Sequence, residues 1–169
     1  MRKYVIIFGT LFNNIYITRN SSEGVPTQTL KIPLTYAPKE KMLSRLNADP
    51  NLENPIAITL PHMSFEINNY QYAPDRKFTT IAKHYKAQAD GTTKYVYQPV
   101  PYDIVFNLYI MVKNANDGTK IVEQILPYFT PEFTVTANIL PEMGKTLDIP
   151  IVLNDTSVQD VYDGNFQTR

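Results

Sequence analysis

Residues 102–113 set the strongest constraint on the fold. Ile104, Phe106, Leu108, Ile110 and Val112 fall on one side of an extended chain, while Asp103, Asn107 and Lys113 fall on the other. Side chains of a strand alternate with period two, so this run predicts a long strand with one face in a core. A chain that contains it must build a sheet and cover one side of that sheet. Helical spacing elsewhere supplies the cover. Val5, Phe8, Leu11, Phe12 and Ile15 predict a short N-terminal helix. Pro38 suits a first helical turn, Met42, Leu43 and Leu46 form a stripe behind it, and Asp49-Pro50 stops the helix. Asn116-Asp117-Gly118 caps a third helix carrying Ile121, Val122, Ile125, Leu126 and Phe129, which Pro127 kinks or ends.

Alternation also marks shorter strands. Ile15-Tyr16-Ile17-Thr18 is one. Leu30, Ile32, Leu34 and Tyr36 share a face of a second, with Lys31, Pro33 and Thr35 opposite. Pro33 cannot donate to a ladder, so that strand is expected at an edge or with a bulge. Met63, Phe65 and Ile67 point inward from another strand, leaving His62, Ser64, Glu66 and Asn68 outward. Phe133, Val135 and Ala137 alternate again, as do Leu147, Ile149, Ile151 and Leu153. Asn20 to Pro26 is loop chemistry and Asn51 to Pro55 reads as linker. Asp75 to Gly91 is polar and reads as an excursion or long loop. The order predicts an α+β fold, a mostly antiparallel or mixed β-sheet with about three helices packed on it, as a single domain over residues 1–169.

Composition narrows the function. The chain has 169 residues, with 16 Lys and Arg against 16 Asp and Glu, which excludes a strongly basic nucleic-acid binder and gives no electrostatic pull towards anionic membranes. It has no cysteine, which removes disulfides and thiolate metal sites and fits a reducing compartment. The apolar run at Tyr4 to Phe8 is too short for a signal peptide and is interrupted by Asn13-Asn14. No stretch of about 18 apolar residues occurs, so no membrane-spanning helix is expected.

Catalytic patterns are missing. His62 and His84 are far apart in sequence and sit in no ligand motif, so both read as surface or rim residues. Gly118-Thr119-Lys120 has P-loop letters in the wrong order, and no G-x-S-x-G occurs. Asp103 and Glu123 lie on polar faces, where a solvated charge is the default. Neither catalysis, a metal nor a cofactor is expected. Tyrosine is the outstanding residue, with 12 copies. Tyr16, Tyr70, Tyr72, Tyr95, Tyr97 and Tyr109 fall on or beside polar strand faces, where they either meet another chain or pack under helices. Tyr95 and Tyr97, beside Pro99 and Pro101, suggest an extended arm suited to strand addition.

Three segments in order carry a resemblance to one family. They are Lys31 to Glu40 (KIPLTYAPKE), Leu60-Pro61 leading to Tyr70-Gln71-Tyr72-Ala73-Pro74, and Val122 to Phe133 (VEQILPYFTPEF). Gly9 to Ile15 and Asp148 to Leu153 fit the same pattern. Over nearly its whole length the chain resembles the tail sheath stabiliser and completion (tail terminator) proteins of T-even-type contractile-tailed bacteriophages. The resemblance implies a structural virion protein: a homohexameric ring that caps the last sheath and tube rings and joins the tail to neck and head proteins. Its expected partners are itself, the tail sheath protein, the tail tube or tube terminator protein, and neck or head-completion proteins. DNA would pass through without specific binding. The expected location is the tail–neck junction of the virion, after assembly in the host cytoplasm.

Interface candidates are Tyr70, Tyr72, Tyr95, Tyr97, Glu123, Gln124, Tyr128 and Glu132. Glu123, Gln124 and Tyr128 face outward from a helix over Lys120 to Phe129 whose Ile121, Ile125 and Phe129 face the sheet, and Glu132 lies in the stiff Thr130-Pro131-Glu132 loop behind it. The family continues past Arg169 with a further strand and a polar extension, so this chain is expected to be part of a longer product. Another neck or baseplate adaptor, or a carbohydrate-binding module using exposed tyrosines, are the rival readings. A hydrolase has no supporting motif.

Overall fold

A computed structural model describes residues 1–20, 26–46, 59–79, 81–88, 91–130, 132–140 and 144–159. Most of the expected loop from Asn20 to Pro26, the helix stop at Asp49-Pro50 and the linker from Asn51 to Pro55 lie outside them. The predicted long strand forms as β7 (Tyr102–Met111), antiparallel to β4 (His62–Tyr72), and β3 (Leu34–Tyr36) adds to β4 in parallel. Helix α1 (Arg2–Phe12) lies on this sheet. Phe8 stacks on Phe106, with centroids 4.4 Å apart and rings 12° from parallel, and also meets Phe65 and Phe12. Gly9 permits the close approach, because a Cβ there would stand 3.3 Å from the Phe65 ring. Each buried phenylalanine or isoleucine in this layer is worth roughly 1.5–3 kcal/mol over its exposed state.

The single strand expected around Pro33 is two strands in two sheets. β2 (Pro26–Lys31) pairs antiparallel with β1 (Tyr16–Asn20), then the chain leaves that ladder, buries Ile32, and enters the three-stranded sheet as β3. Pro33 has no N–H for either ladder, but its carbonyl accepts from the Met63 N–H at 2.9 Å. The proline marks a change of sheet rather than a bulge.

The strand β4 is buried on both faces at its start. Met63 and Phe65 enter the main core with Phe8, Phe12 and Ile17, as expected. His62 and Ser64, expected outward, are buried as well. Helix α2 (Lys39–Leu46) covers that face, with Met42 fully buried beneath it. Polar atoms fill the layer: Thr35 Oγ1 and His62 Nε2 share a hydrogen bond of 3.0 Å, and the Tyr109 hydroxyl donates to Glu66 Oε1 at 2.8 Å. The surface or rim placement of His62 is therefore corrected, because the short helix behind Pro38 folds back over it. Tyr109 is half-buried here and not an outward contact residue.

The region 75–91 is no long loop. A short 3₁₀ turn (Pro74–Arg76) leads into a β-hairpin of β5 (Lys83–Ala87) and β6 (Thr93–Tyr97), closed by Gln88 donating to Thr92 at 2.8 Å and by Gly91 at φ +80°. After β7, α3 (Ala115–Ile125) starts at Asn114, two residues earlier than Asn116-Asp117-Gly118 suggested, and Pro127 continues it as a 3₁₀ turn (Leu126–Tyr128). A second hairpin follows, β8 (Glu132–Leu140) with β9 (Lys145–Val152). The fold is α+β, with three helices and nine strands among the described residues.

The helix α3 is tied to β1 by side chains. Gln124 donates its amide to the Tyr16 carbonyl at 2.7 Å and accepts from the Tyr16 N–H at 3.4 Å. One turn back, Lys120 donates to the Thr18 carbonyl at 2.8 Å, and Asp117 accepts from Arg19 at 2.8 Å. Residues three and four apart share a helix face, so these three contacts run along one side of α3.

Candidate interaction surfaces

The expected contact residues fall on three surfaces. The first is the β5–β6 hairpin. Strand register places Tyr85 opposite Tyr95 and Lys83 opposite Tyr97, so all four side chains share one face. Tyr85, Tyr95 and Tyr97 are 68%, 52% and 56% exposed, too open for tyrosines that serve as core. The Tyr95 and Tyr97 rings meet edge to face at 5.8 Å. The Lys83 ammonium sits 4.5 Å from the Tyr95 centroid and 5.0 Å from that of Tyr97, which holds a cation against two aromatic faces. Sequence reasoning missed Tyr85, because Lys83-His84-Tyr85-Lys86-Ala87 carries no apolar alternation to announce a strand.

The second surface is the end of the central sheet from which that hairpin springs. Tyr72 and Tyr102 are cross-strand partners with centroids 5.7 Å apart, and Tyr70 lies two residues back, opposite Ile104. All three are exposed. Arg76 and Asp103 pair beside them. Tyr102 was not among the expected contacts; its place opposite Tyr72 follows from strand register, which the sequence does not display.

The third surface is the outer side of α3 and the turn after it. Ile121 and Ile125 are buried and Phe129 is packed against the core, while Glu123, Gln124 and Tyr128 are exposed. Their circumstances differ. Gln124 has its amide engaged by β1, whereas the Tyr128 ring meets Phe133 in a T-shaped contact at 6.1 Å and is otherwise exposed. Glu132 opens β8 and is exposed.

No group of His, Cys, Asp or Glu among the described residues is arranged to hold a metal, and no described helix is long and apolar enough to cross a membrane. The perturbed titrations belong to the layer under α2 rather than to these surfaces. Burial, and secondarily Arg45, lowers the pKa of His62. Burial, and then the hydrogen bond to Glu66, raises that of Tyr109. What the outer surfaces can do is bind: rigid rings with polar tips give large contact area at low entropic cost.

Comparison with known proteins agrees with the sequence resemblance. The family described as the T4-like virus Myoviridae tail sheath stabiliser matches residues 1–169. "Tail completion protein gp15" of Enterobacteria phage T4 is 30% identical over 179 residues, covering 99% of this chain and 64% of that relative. The chain thus spans a little under two thirds of that relative's length. With the match running from end to end, the chain belongs to the T4-like tail sheath stabiliser family.

Proposed function

We propose that this protein is a structural component of a contractile phage tail. It completes the tail as a homohexameric ring, caps the last sheath and tube rings, and presents its opposite side to neck and head-completion proteins. The observation that carries the reading is the family match over the whole chain, joined to a fold that exposes Tyr70, Tyr72, Tyr85, Tyr95, Tyr97 and Tyr128. The tail sheath protein, the tube or its terminator, and the neck proteins are its partners at the tail–neck junction. A formal charge of zero suits a ring through which DNA passes, since lysine and arginine contacts to phosphate would retain it.

Negative-stain microscopy of the purified protein tests this directly. Sixfold rings support the assignment, and rings that also bind the upper end of isolated tails support the capping role. A strict monomer that leaves tail ends bare and binds a glycan overturns it in favour of a carbohydrate-binding module.

A further inference from the structure

We propose that the Tyr85, Tyr95 and Tyr97 face of the β5–β6 hairpin docks head to tail on the outer face of the β8–β9 hairpin of a second copy of this chain. The inference rests on the ring reading above and specifies the surfaces that would build the ring. A two-stranded hairpin is marginally stable when alone, and this one leaves three rings open on one face. Covering that face would stabilise the hairpin as well as the assembly.

Charge identifies the occupant. Neither β5 nor β6 contains an Asp or Glu, and the Lys83 ammonium stands on the aromatic face. Two such faces pressed together would bring two Lys83 cations into one dry contact, so self-pairing is disfavoured. A complementary surface exists on the same chain. Register puts Thr136 opposite Asp148 and Thr134 opposite Pro150 on the exposed side of β8–β9, where residues 132–138 and 146–152 include no Lys or Arg. Thr136 donates to one oxygen of Asp148 at 2.6 Å, which fixes the carboxylate; the other oxygen has no partner among the described residues. Pro150 offers a flat apolar ring for a tyrosine to cover.

The two faces differ, so their contact is heterologous, the type that closes a ring. Thr136, Ala137 and Asn138 border a cleft with Lys3, Ile6 and Ile7 of α1, and Lys3 donates to the Asn138 carbonyl at 3.1 Å, so the β8 end of this face adjoins α1 while Asp148 and Pro150 of β9 remain exposed.

The natural absence of cysteine makes the test clean. A chain carrying both Tyr95→Cys and Pro150→Cys is oxidised and run under non-reducing conditions. The expected result is a ladder of covalent multimers ending at the ring, while either single variant stops at the dimer or below. Independently, Tyr95→Ser with Tyr97→Ser forms one variant and Asp148→Lys another, each checked to melt within a few degrees of wild type. Each alone is expected to lose the ring, and a 1:1 mixture is expected to yield a dimer, since only one intact interface remains. If the wild type forms rings but the double-cysteine chain gives no ladder and both surface variants still assemble, the docking assignment is overturned and the ring stands. A wild type that is monomeric at every concentration overturns both.

Discussion

Arg19 and Asp117 meet across 98 positions of chain, the guanidinium of β1 donating to the carboxylate in the first turn of α3 at 2.8 Å. The pair is lopsided: the Arg19 side chain is 42% exposed and that of Asp117 only 7%. The carboxylate also lies where the α3 dipole favours negative charge.

Removing the two partners is therefore unequal. Arg19→Ala strands a buried carboxylate and is expected to cost about 1–3 kcal/mol, whereas Asp117→Asn keeps a hydrogen-bond acceptor and costs less. Urea denaturation of the two variants gives the order directly, and equal losses would show that burial does not set the cost.

Ile125 and Tyr128 are close in sequence and opposite in environment. Ile125→Ala is expected to lose about 2–5 kcal/mol, because a buried branched side chain leaves a cavity. Tyr128→Ala gives up chiefly its edge contact with Phe133, worth about 0.5–1.5 kcal/mol, and is expected to fold. Its defect should appear as weaker tail completion, scored as particles with unstable sheaths or unjoined heads. Equal unfolding by the two substitutions would place Tyr128 in the core.

His62 makes stability depend on pH. Its pKa in the folded chain lies below the ordinary 6.5, first because it is buried and then because Arg45 is near. The unfolded chain thus binds more protons around pH 6, so the contribution is complete above about 6.5 and is lost as pH falls towards the folded value. Denaturation midpoints from pH 7 to pH 5 are expected to fall more steeply for wild type than for His62→Gln. Parallel profiles would remove His62 from that dependence.

Ring assembly is expected to tolerate salt. Aromatic area changes little with ionic strength, while exposed ion pairs are screened within about 10 Å at 0.1 M. Sedimentation in rising sodium chloride is expected to keep most of the oligomer, with a modest loss from the Lys83 contact. Complete dissociation at moderate salt would assign the interface to charge.

Legibility in the sequence followed the periodicity of burial. β7, α1 and α3 were readable because each buries one uninterrupted stripe. The β5–β6 hairpin was not, since water reaches much of both strands and leaves no alternation to read. His62 and Ser64 looked solvent-facing because they alternate with Met63 and Phe65, and nothing local shows that α2 returns to cover them. Pro33 signals an edge or a bulge, but nothing local shows that the chain changes sheet there, which depends on Met63, thirty residues away. The outward positions of Glu123 and Tyr128 came from helical spacing. The bond from Gln124 to Tyr16 spans 108 residues and has no local signature.

That last contact governs how the molecule avoids recruiting strangers. Among the described residues β1 pairs with β2 alone, and an uncovered strand margin offers its amides and carbonyls to any extended peptide that drifts past. Gln124 and Lys120 occupy the groups at Tyr16 and Thr18 that such a peptide would take, so a helix guards a sheet margin without joining it. Replacing both by alanine would leave the core untouched and the margin open. The expected phenotype is a folded chain that slowly templates β-rich aggregates, read as a rise in thioflavin fluorescence over days that the wild type does not show.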